Sequence, residues 1–411
     1  MKLKSACSRF LLNAVCWCLM FFGGAYSTAA QSSQAAPPKV WFYLGGISSS
    51  TSSANWAWLR TQYANKTFLA SIRPALGHTQ GIVVPVFDYG MCFYSTAVAP
   101  FRGRNSSSAQ DESALRSFLI SARKAKIPVY LSVNVLGWAE GQNNGSIFKT
   151  YPDLQEIGQD PSEATEVTYA SPFNRAVWTI MDAVLLEIGR KFPEAAGVLL
   201  DLHLNRTEVL GFSKAARSAS IRAISVDPVD VLPKGQVSIS ATDRLKKWID
   251  WRKNVIALMF TSLRDSYHAG NPNGKLYAFG TVDYYVAGFV NDMRLSQNWL
   301  TWADDGIVDG ILLGGQWASG HPDNALYRYM IPKAIAAKSG RKLDVIPVLN
   351  GTHLNPPVSY SDEWIPLSTY NSGLQEIALV VDSDADVQGV ITLLTSSNKL
   401  EGSDGMEAPE K

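Results

Sequence analysis

Cysteine is nearly absent from this chain. Three of its four cysteines, Cys7, Cys16 and Cys18, fall within the first 20 residues, and only Cys92 lies beyond. Cys92 alone can form no internal disulfide, and a chain of 411 residues buries enough apolar surface to need none. One cysteine and five scattered histidines (His78, His203, His268, His321, His353) offer no zinc-ligand spacing. Excess charge is missing too. The formal net charge is +1 with 18% charged residues, which argues against a nucleic-acid partner. No Gly-x-Ser-x-Gly elbow points to Ser/His/Asp chemistry, and no Gly-rich loop is built for phosphates. No repeat of solenoid period occurs. No cofactor and no metal are therefore expected.

The one extended apolar stretch, Phe10 to Gly23, is short for a membrane span. It follows the basic residues Lys2, Lys4 and Arg9 and precedes the small residues Ser27-Thr28-Ala29-Ala30. That order is the pattern of a secretory signal peptide over residues 1–30. The alternative, a retained anchor, is disfavoured by Asn13 and Cys16, which interrupt the run. Cleavage removes three basic and no acidic residues, taking the formal charge from +1 to −2. The segment 31–38 (QSSQAAPP) reads as a disordered leader and 399–411 as a disordered tail. The implied location is secreted or periplasmic, with no integral span once the signal is removed.

Between those ends, eight short apolar runs alternate with longer segments that can hold helices. The runs are Val40–Gly45, Ile82–Phe87, Pro128–Val135, Gly197–Leu202, Leu276–Val282, Val308–Leu313, Asp344–Leu349 and Gly389–Leu394. Helical or mixed periodicity marks Asp111–Lys126, Pro172–Phe192, Leu245–His268, Gln297–Asp305, Asn324–Lys338 and Leu374–Asp382. Pro172 after Ser171 reads as a first helical position behind a cap. Strand then helix, repeated eight times over 39–398, predicts an α/β fold: a (β/α)8 TIM barrel. The largest insertion, Thr207–Arg244, follows the fourth strand, with a short helix at Ser213–Ala223, a turn at Asp227-Pro228 and a hairpin near Gly235.

Barrel active sites gather at the carboxyl ends of the strands. Asp201 closes the run Ala196-Gly197-Val198-Leu199-Leu200 and is the leading catalytic candidate; the plainer alternative is a structural Asp that accepts backbone N–H bonds. Glu140, in a Gly-flanked loop beside Trp138, and Asp283, after the fifth strand, are further catalytic candidates. A solvated loop and a helix cap are their respective alternatives. Candidate substrate-binding residues at the other strand ends are Asp88, Tyr89, Asn134, Trp138, His203, Gln316, Trp317, Asn350 and His353. Amides and indoles there can bond hydroxyls and stack on pyranose faces. Trp317 stands out because Gly314-Gly315 before it permits close ligand approach.

The order of several motifs resembles the family-10-like glycosyl hydrolases of bacterial envelopes. Gly90-Met91-Cys92-Phe93-Tyr94-Ser95 with Ala99-Pro100 is similar to the family's Gly-Asp-x-x-Tyr-x-Ser…Pro. Gly197–Asp201 resembles its Gly-Ile-His-Leu-Asp strand, and Gly211-Phe212-Ser213 with Val226-Asp227-Pro228 its following Gly-Tyr-Ser and Val-Asp-Pro. Trp248-x-x-Trp251-Arg252-x-Asn254-Val255, Gln297-Asn298-Trp299-x-x-Trp302 and Val308-Asp309 continue the series, and Gly389-Val390-Ile391 up to Ser396-Ser397 resembles its last strand. The chain departs from the family at Phe87, at Met91 and over Leu202–Arg206, so Asp201 matches while the family's neighbouring Tyr and Arg do not. The resemblance implies carboxylate acid/base hydrolysis of a polysaccharide or oligosaccharide, peptidoglycan glycan among them. A non-catalytic carbohydrate-binding barrel is the alternative. For the exported protein, Edman sequencing is expected to start near Ala30 or Gln31; residues 1–25 intact on that protein would defeat the signal-peptide reading.

Overall fold

The computed structural model describes residues 39–45, 52–65, 67–103, 109–140, 146–159, 167–202, 209–232, 242–281, 296–314, 343–350 and 376–400. Eight parallel strands form its centre: β1 (Lys39–Leu44), β2 (Thr79–Asp88), β3 (Val129–Asn134), β4 (Gly197–Asp201), β5 (Lys275–Thr281), β6 (Gly310–Gly314), β7 (Asp344–Asn350) and β8 (Glu376–Val381). Each pairs with its sequence neighbours. β1 also pairs with β8, from Lys39↔Glu376 to Leu44↔Val381, which closes the sheet into a (β/α)8 barrel. Closure leaves each barrel strand with a partner on both sides and removes the open edges that invite aggregation.

Alternation along the strands separates two cores. Trp41, Tyr43, Val83, Tyr130, Leu199, Tyr277, Phe279, Leu312, Ile346, Val348, Ala378 and Val380 fill the interior. Their neighbours in sequence point outward to the helices. The amino-terminal end is plugged by the rings of Trp41, Tyr130 and Tyr277, with centroids 4.5 to 5.9 Å apart. Their polar atoms find partners there: Trp41 Nε1 donates to Glu376 Oε2 at 2.9 Å, and the Tyr277 hydroxyl donates to Asp344. Among the described residues, aromatic rings thus fill the amino-terminal end of the bore.

The helices include α1 (Ser52–Asn65), α2 (Ala109–Lys124), α3 (Arg175–Lys191), α4 (Lys214–Ile224), α5 (Asp243–Gly270), α6 (Trp299–Asp304) and α7 (Asp384–Leu400). α3 lies along α5 with Gly189 and Gly270 at the crossing. A Cβ at Gly270 would sit 2.6 Å from the Leu186 carbonyl, so the backbones touch there. The cap of α3 is Asn174, whose side chain accepts from Ala176 N at 3.0 Å. This corrects the expected start at Pro172: Ser171 turns inward to Glu156, and the Pro172 carbonyl accepts from Trp178 Nε1.

The largest correction concerns the last βα unit, where strand and helix exchange places. Glu376–Val381, expected to be helical, is β8; Gly389–Leu394, expected to be the eighth strand, lies inside α7. Val387, Val390, Ile391 and Leu394 are buried while Gln388, Gly389 and Thr392 are exposed, a helical period that the short apolar run concealed. Ser383 and Asp386 form the helix's capping box: Asp386 N donates to Ser383 Oγ, which donates to Asp386 Oδ2 at 2.6 Å. α7 runs to Leu400, two residues into the expected tail. Residues 1–38 and the helix expected at Asn324–Lys338 lie outside the described residues.

Between β4 and α5, α4 starts behind Ser213 and a short helix, Pro228–Val231, behind Asp227; the expected hairpin near Gly235 lies outside the described residues. This segment is fastened to the loop after β3 by a buried acid. Glu156 Oε1 accepts from the backbone N–H groups of Ile157 and Ser213, both at 2.9 Å, and Oε2 accepts from the hydroxyls of Ser171 and Ser213. Burial raises the Glu156 carboxyl and these bonds oppose the rise. Arg252, 1% exposed and stacked 4.6 Å over Trp248, is a second buried ionisable group near it; burial pulls its guanidinium down to about 9 and Glu156 acts against that. Removing Glu156 leaves its buried N–H and hydroxyl donors without that acceptor. Glu156→Ala is expected to cost about 1 to 3 kcal/mol in urea unfolding, and a loss under about 0.5 kcal/mol would show that those donors find other acceptors.

Candidate active site

The site begins with an irregularity in β2. Pro85 lies opposite Ser132 and Phe87 opposite Val133, so Val86 is an extra residue. In an unbroken strand the inward series 81, 83, 85 would continue to Phe87, and Asp88 would face the helices. The bulge reverses this parity. Val84, Val86 and Phe87 all join the outer core, and Asp88 turns into the barrel mouth. The Val86 carbonyl finds a donor in Phe93 N at 2.8 Å.

β3 and β4 end at the same level, with Asn134 opposite Asp201. Asp88, Asn134 and Asp201 thus form one layer across three adjacent strand ends. Asn134 and Asp201 are each 5% exposed, and Asp88 is partly exposed. Asn134 Nδ2 donates to Asp88 Oδ1 at 2.9 Å, while its Oδ1 accepts from Gly137 N at 2.9 Å. The second contact fixes the amide's orientation, because a backbone N–H can only donate. It also requires glycine: a Cβ at residue 137 would lie 2.6 Å from Asn134 Nδ2. Beneath this layer Tyr43 shares a hydrogen bond with Ser132 at 3.2 Å. Burial, then the Asp201 carboxylate, push the Tyr43 phenol well above its ordinary value, and Asp88 adds to the effect. Both acids therefore act on one buried phenol, which stays neutral.

The structure brings together three of the sequence-derived candidates, Asp201, Asp88 and Asn134. Two others are placed where they cannot serve a sugar. Trp138 is fully buried, stacked on Phe148 and edge-on to Phe101, with Nε1 donating to Val135 O at 2.9 Å. Tyr89 is 7% exposed and packs in the outer core. With Gly90 it forms the two-residue turn from β2 to the short antiparallel strand Met91–Cys92, at φ 46° and 71°, the positive values of a type I′ turn. Gly90 is obligatory there, since a Cβ would lie 2.4 Å from the Trp138 carbonyl. Glu140 ends a strand that pairs with Val167, and Asn350 ends β7 opposite Val380; nothing further is described of their side chains. Asp283, His203, Gln316, Trp317 and His353 lie outside the described residues.

Sequence reasoning missed Tyr43 and Ser132, which stand mid-strand among apolar residues, and Asp382, which follows β8. The expected helix over Leu374–Asp382 hid the last. Burial raises the Asp382 carboxyl to about 6, and the adjacent Asp386 contributes in the same direction. Among the described residues no three acids, histidines or cysteines are grouped to hold a metal ion, and no helix is long and apolar enough to cross a membrane.

No protein-family model and no curated protein matches the chain in sequence. Solved structures do match. The PgaB (BpsB) glycoside hydrolase domain from Bordetella bronchiseptica superposes with a TM-score of 0.57 at 12% identity, over 87% of this chain and 99% of that one. A β-galactosidase from the psychrophilic Marinomonas ef1 gives 0.56 at 9% identity, and one from Rahnella sp. R3 gives 0.50 at 12%; each match covers 90% of this chain. The chain spans only 61% and 57% of those two enzymes. At such identities the likeness establishes the fold alone, a (β/α)8 barrel.

The raised Asp382 has a direct consequence for stability. The folded state keeps its proton to about pH 6, while the unfolded chain releases it near the ordinary 3.8. Wild type therefore loses stability as pH climbs through that window, and Asn cannot take part in the loss. Because the group is half exposed to solvent, Asp382→Asn is expected to be more stable than wild type by only about 0.5 to 1 kcal/mol at pH 7, and equal to it at pH 3.5. Urea unfolding at the two values checks this; a constant difference would assign the effect to packing.

Proposed function

We propose that this protein is a glycoside hydrolase that cleaves an envelope or extracellular polysaccharide, with peptidoglycan glycan as the first substrate to try. The observation that carries the reading is Asp201: a carboxylate turned inward at the end of β4, 95% buried at the carboxyl end of the barrel, beside a second carboxylate across Asn134. Two carboxyl groups flanking one cleft are what glycosidic bond cleavage requires. The fold shared with the Bordetella glycoside hydrolase domain supports the reaction class, and the amino-terminal sequence pattern supports a secreted or periplasmic location. In this reading Asp201 supplies acid/base chemistry.

The test uses exported protein on labelled peptidoglycan and a panel of soluble β-glycans. Asp201→Asn preserves shape and part of the hydrogen bonding but cannot ionise. It is expected to lower turnover by about 10² to 10⁴ with melting and glycan binding near normal. Retention of more than roughly a third of the rate, under 1 kcal/mol of barrier, would remove Asp201 from the chemistry. Glycan binding by a wild type that turns over nothing would assign the barrel to carbohydrate binding instead.

A further inference from the structure

The hydrolase reading needs a second acid, and the layer at the barrel mouth supplies one. We infer that Asp88 is the partner carboxylate of Asp201 and that Asn134 is the residue that positions it. This rests on the reading of the protein as a glycoside hydrolase.

Three independent features converge on Asp88. The bulge at Val86 turns residue 88 from the helix side into the mouth. Bulges beside active sites commonly re-aim a side chain in this way. Next, Asn134 is held by Gly137 N so that its Nδ2, not its Oδ1, meets Asp88. Asp88 is thus met by a donor and serves as an acceptor. Last, Asp88 and Asp201 lie at one level on strands two apart. That places their backbones roughly 9.5 Å apart, and side chains pointing into a closed barrel converge. Carboxyl pairs that admit a water between acid and base stand about 6.5 to 9.5 Å apart.

The step these positions allow is a direct displacement. The glycosidic C–O bond breaks with its electron pair on the leaving oxygen, which takes a proton from Asp201. A water oxygen forms the new C–O bond at the anomeric carbon and gives its proton to Asp88. Solvent then returns a proton to Asp201 and removes one from Asp88. Asn134 touches neither sugar nor water in this step; it holds the accepting carboxylate in place.

The experiment compares Asp88→Asn, Asp88→Ala, Asn134→Asp and Asp201→Asn with wild type on whichever labelled peptidoglycan or β-glycan the wild type cleaves. Asp88→Asn is expected to lose about 10²-fold or more in kcat with unchanged melting and glycan affinity. Sodium azide is expected to restore turnover to Asp88→Ala and give a glycosyl azide of inverted configuration. Asn134→Asp keeps the acceptor for Gly137 N but replaces the N–H facing Asp88 with a like charge. Both changes oppose ionisation of Asp88, so the acidic limb of its kcat/KM profile should move up by about one pH unit or more. A merely structural Asn134 would lower stability and leave the limb in place.

If Asp88→Asn keeps more than a third of the rate while Asp201→Asn is inactive, Asp88 is not the partner and the hydrolase reading stands. Azide products of retained configuration would overturn the role as base. If both Asn variants keep their rate, or wild type cleaves nothing on the panel, the hydrolase reading falls and the pairing with it.

Discussion

Parity governs this molecule. In a closed barrel every strand residue faces either the packed interior or the helices, and one extra residue reverses all that follow it. Val86 is that residue in β2. Its insertion sends Phe87 outward, where it meets Phe101 edge-on at 4.8 Å, and sends Asp88 inward to Asn134. The Tyr89-Gly90 turn, the bond from Phe93 N to the Val86 carbonyl and the packing of Trp138 under Gly90 all follow from this one displacement. An unbulged β2 would bury a phenylalanine in the mouth and leave a carboxylate among helices. That arrangement loses apolar contact on one side and strands a charge on the other.

Two carboxylates at one barrel mouth also need reasons to stay there. The molecule supplies them from below and between. The Asn134 amide, its two ends assigned by partners of opposite hydrogen-bonding sense, satisfies Asp88 without adding charge. The Tyr43–Ser132 pair gives the interior beneath a polar floor where other strands present Leu199, Leu312 and Ile346. At the opposite end the polar groups serve closure instead, with Glu376 and Asp344 receiving the Trp41 and Tyr277 donors. One barrel thus has a sealed end, where aromatic rings fill the bore, and an open end, where acids line it.

Seven of the eight strands were legible because parallel barrel strands, covered on both faces, are continuous apolar runs. The eighth failed for the same reason. Gly389–Leu394 is an apolar run as well, and six residues cannot show whether their period is two or 3.6. What separates it from β8 lies upstream, in the capping box at Ser383 and Asp386, which announces a helix and makes Glu376–Val381 the strand. The site divides along similar lines. Asp201 was readable from its place at the end of a run. Asp88 was readable as a strand-end acid, but its direction depends on a bulge that no pattern of residues announced. Trp138 was misread because a Gly-flanked Trp suggests an exposed loop, whereas Gly137 answers a steric demand, a Cβ there meeting the Asn134 amide, and the indole is fully buried. Tyr43 and Ser132 carried no signal, since their meeting is made by closure across β1, β2 and β3.

The segments that resemble envelope glycosyl hydrolases occupy a telling place. Ser213 caps α4 and binds Glu156; Asp227 caps the next turn and forms a bidentate pair with Arg217; Trp248 and Arg252 stack beneath Gly211. Trp302 is fully buried against Phe260. These residues build and fasten the structure around β4 and β5; none of them stands in the layer of Asp88, Asn134 and Asp201. A likeness carried by caps, buried ions and packing is evidence about architecture, and the superpositions at 9 to 12% identity agree with that reach. Chemistry has to be argued from the mouth itself, where Asp201 shares the family motif and Asp88 does not. The departures from the family after β2 coincide with the bulge and turn that aim Asp88. The same corner thus holds both the departure from the motif and the reversal of strand parity that turns Asp88 inward.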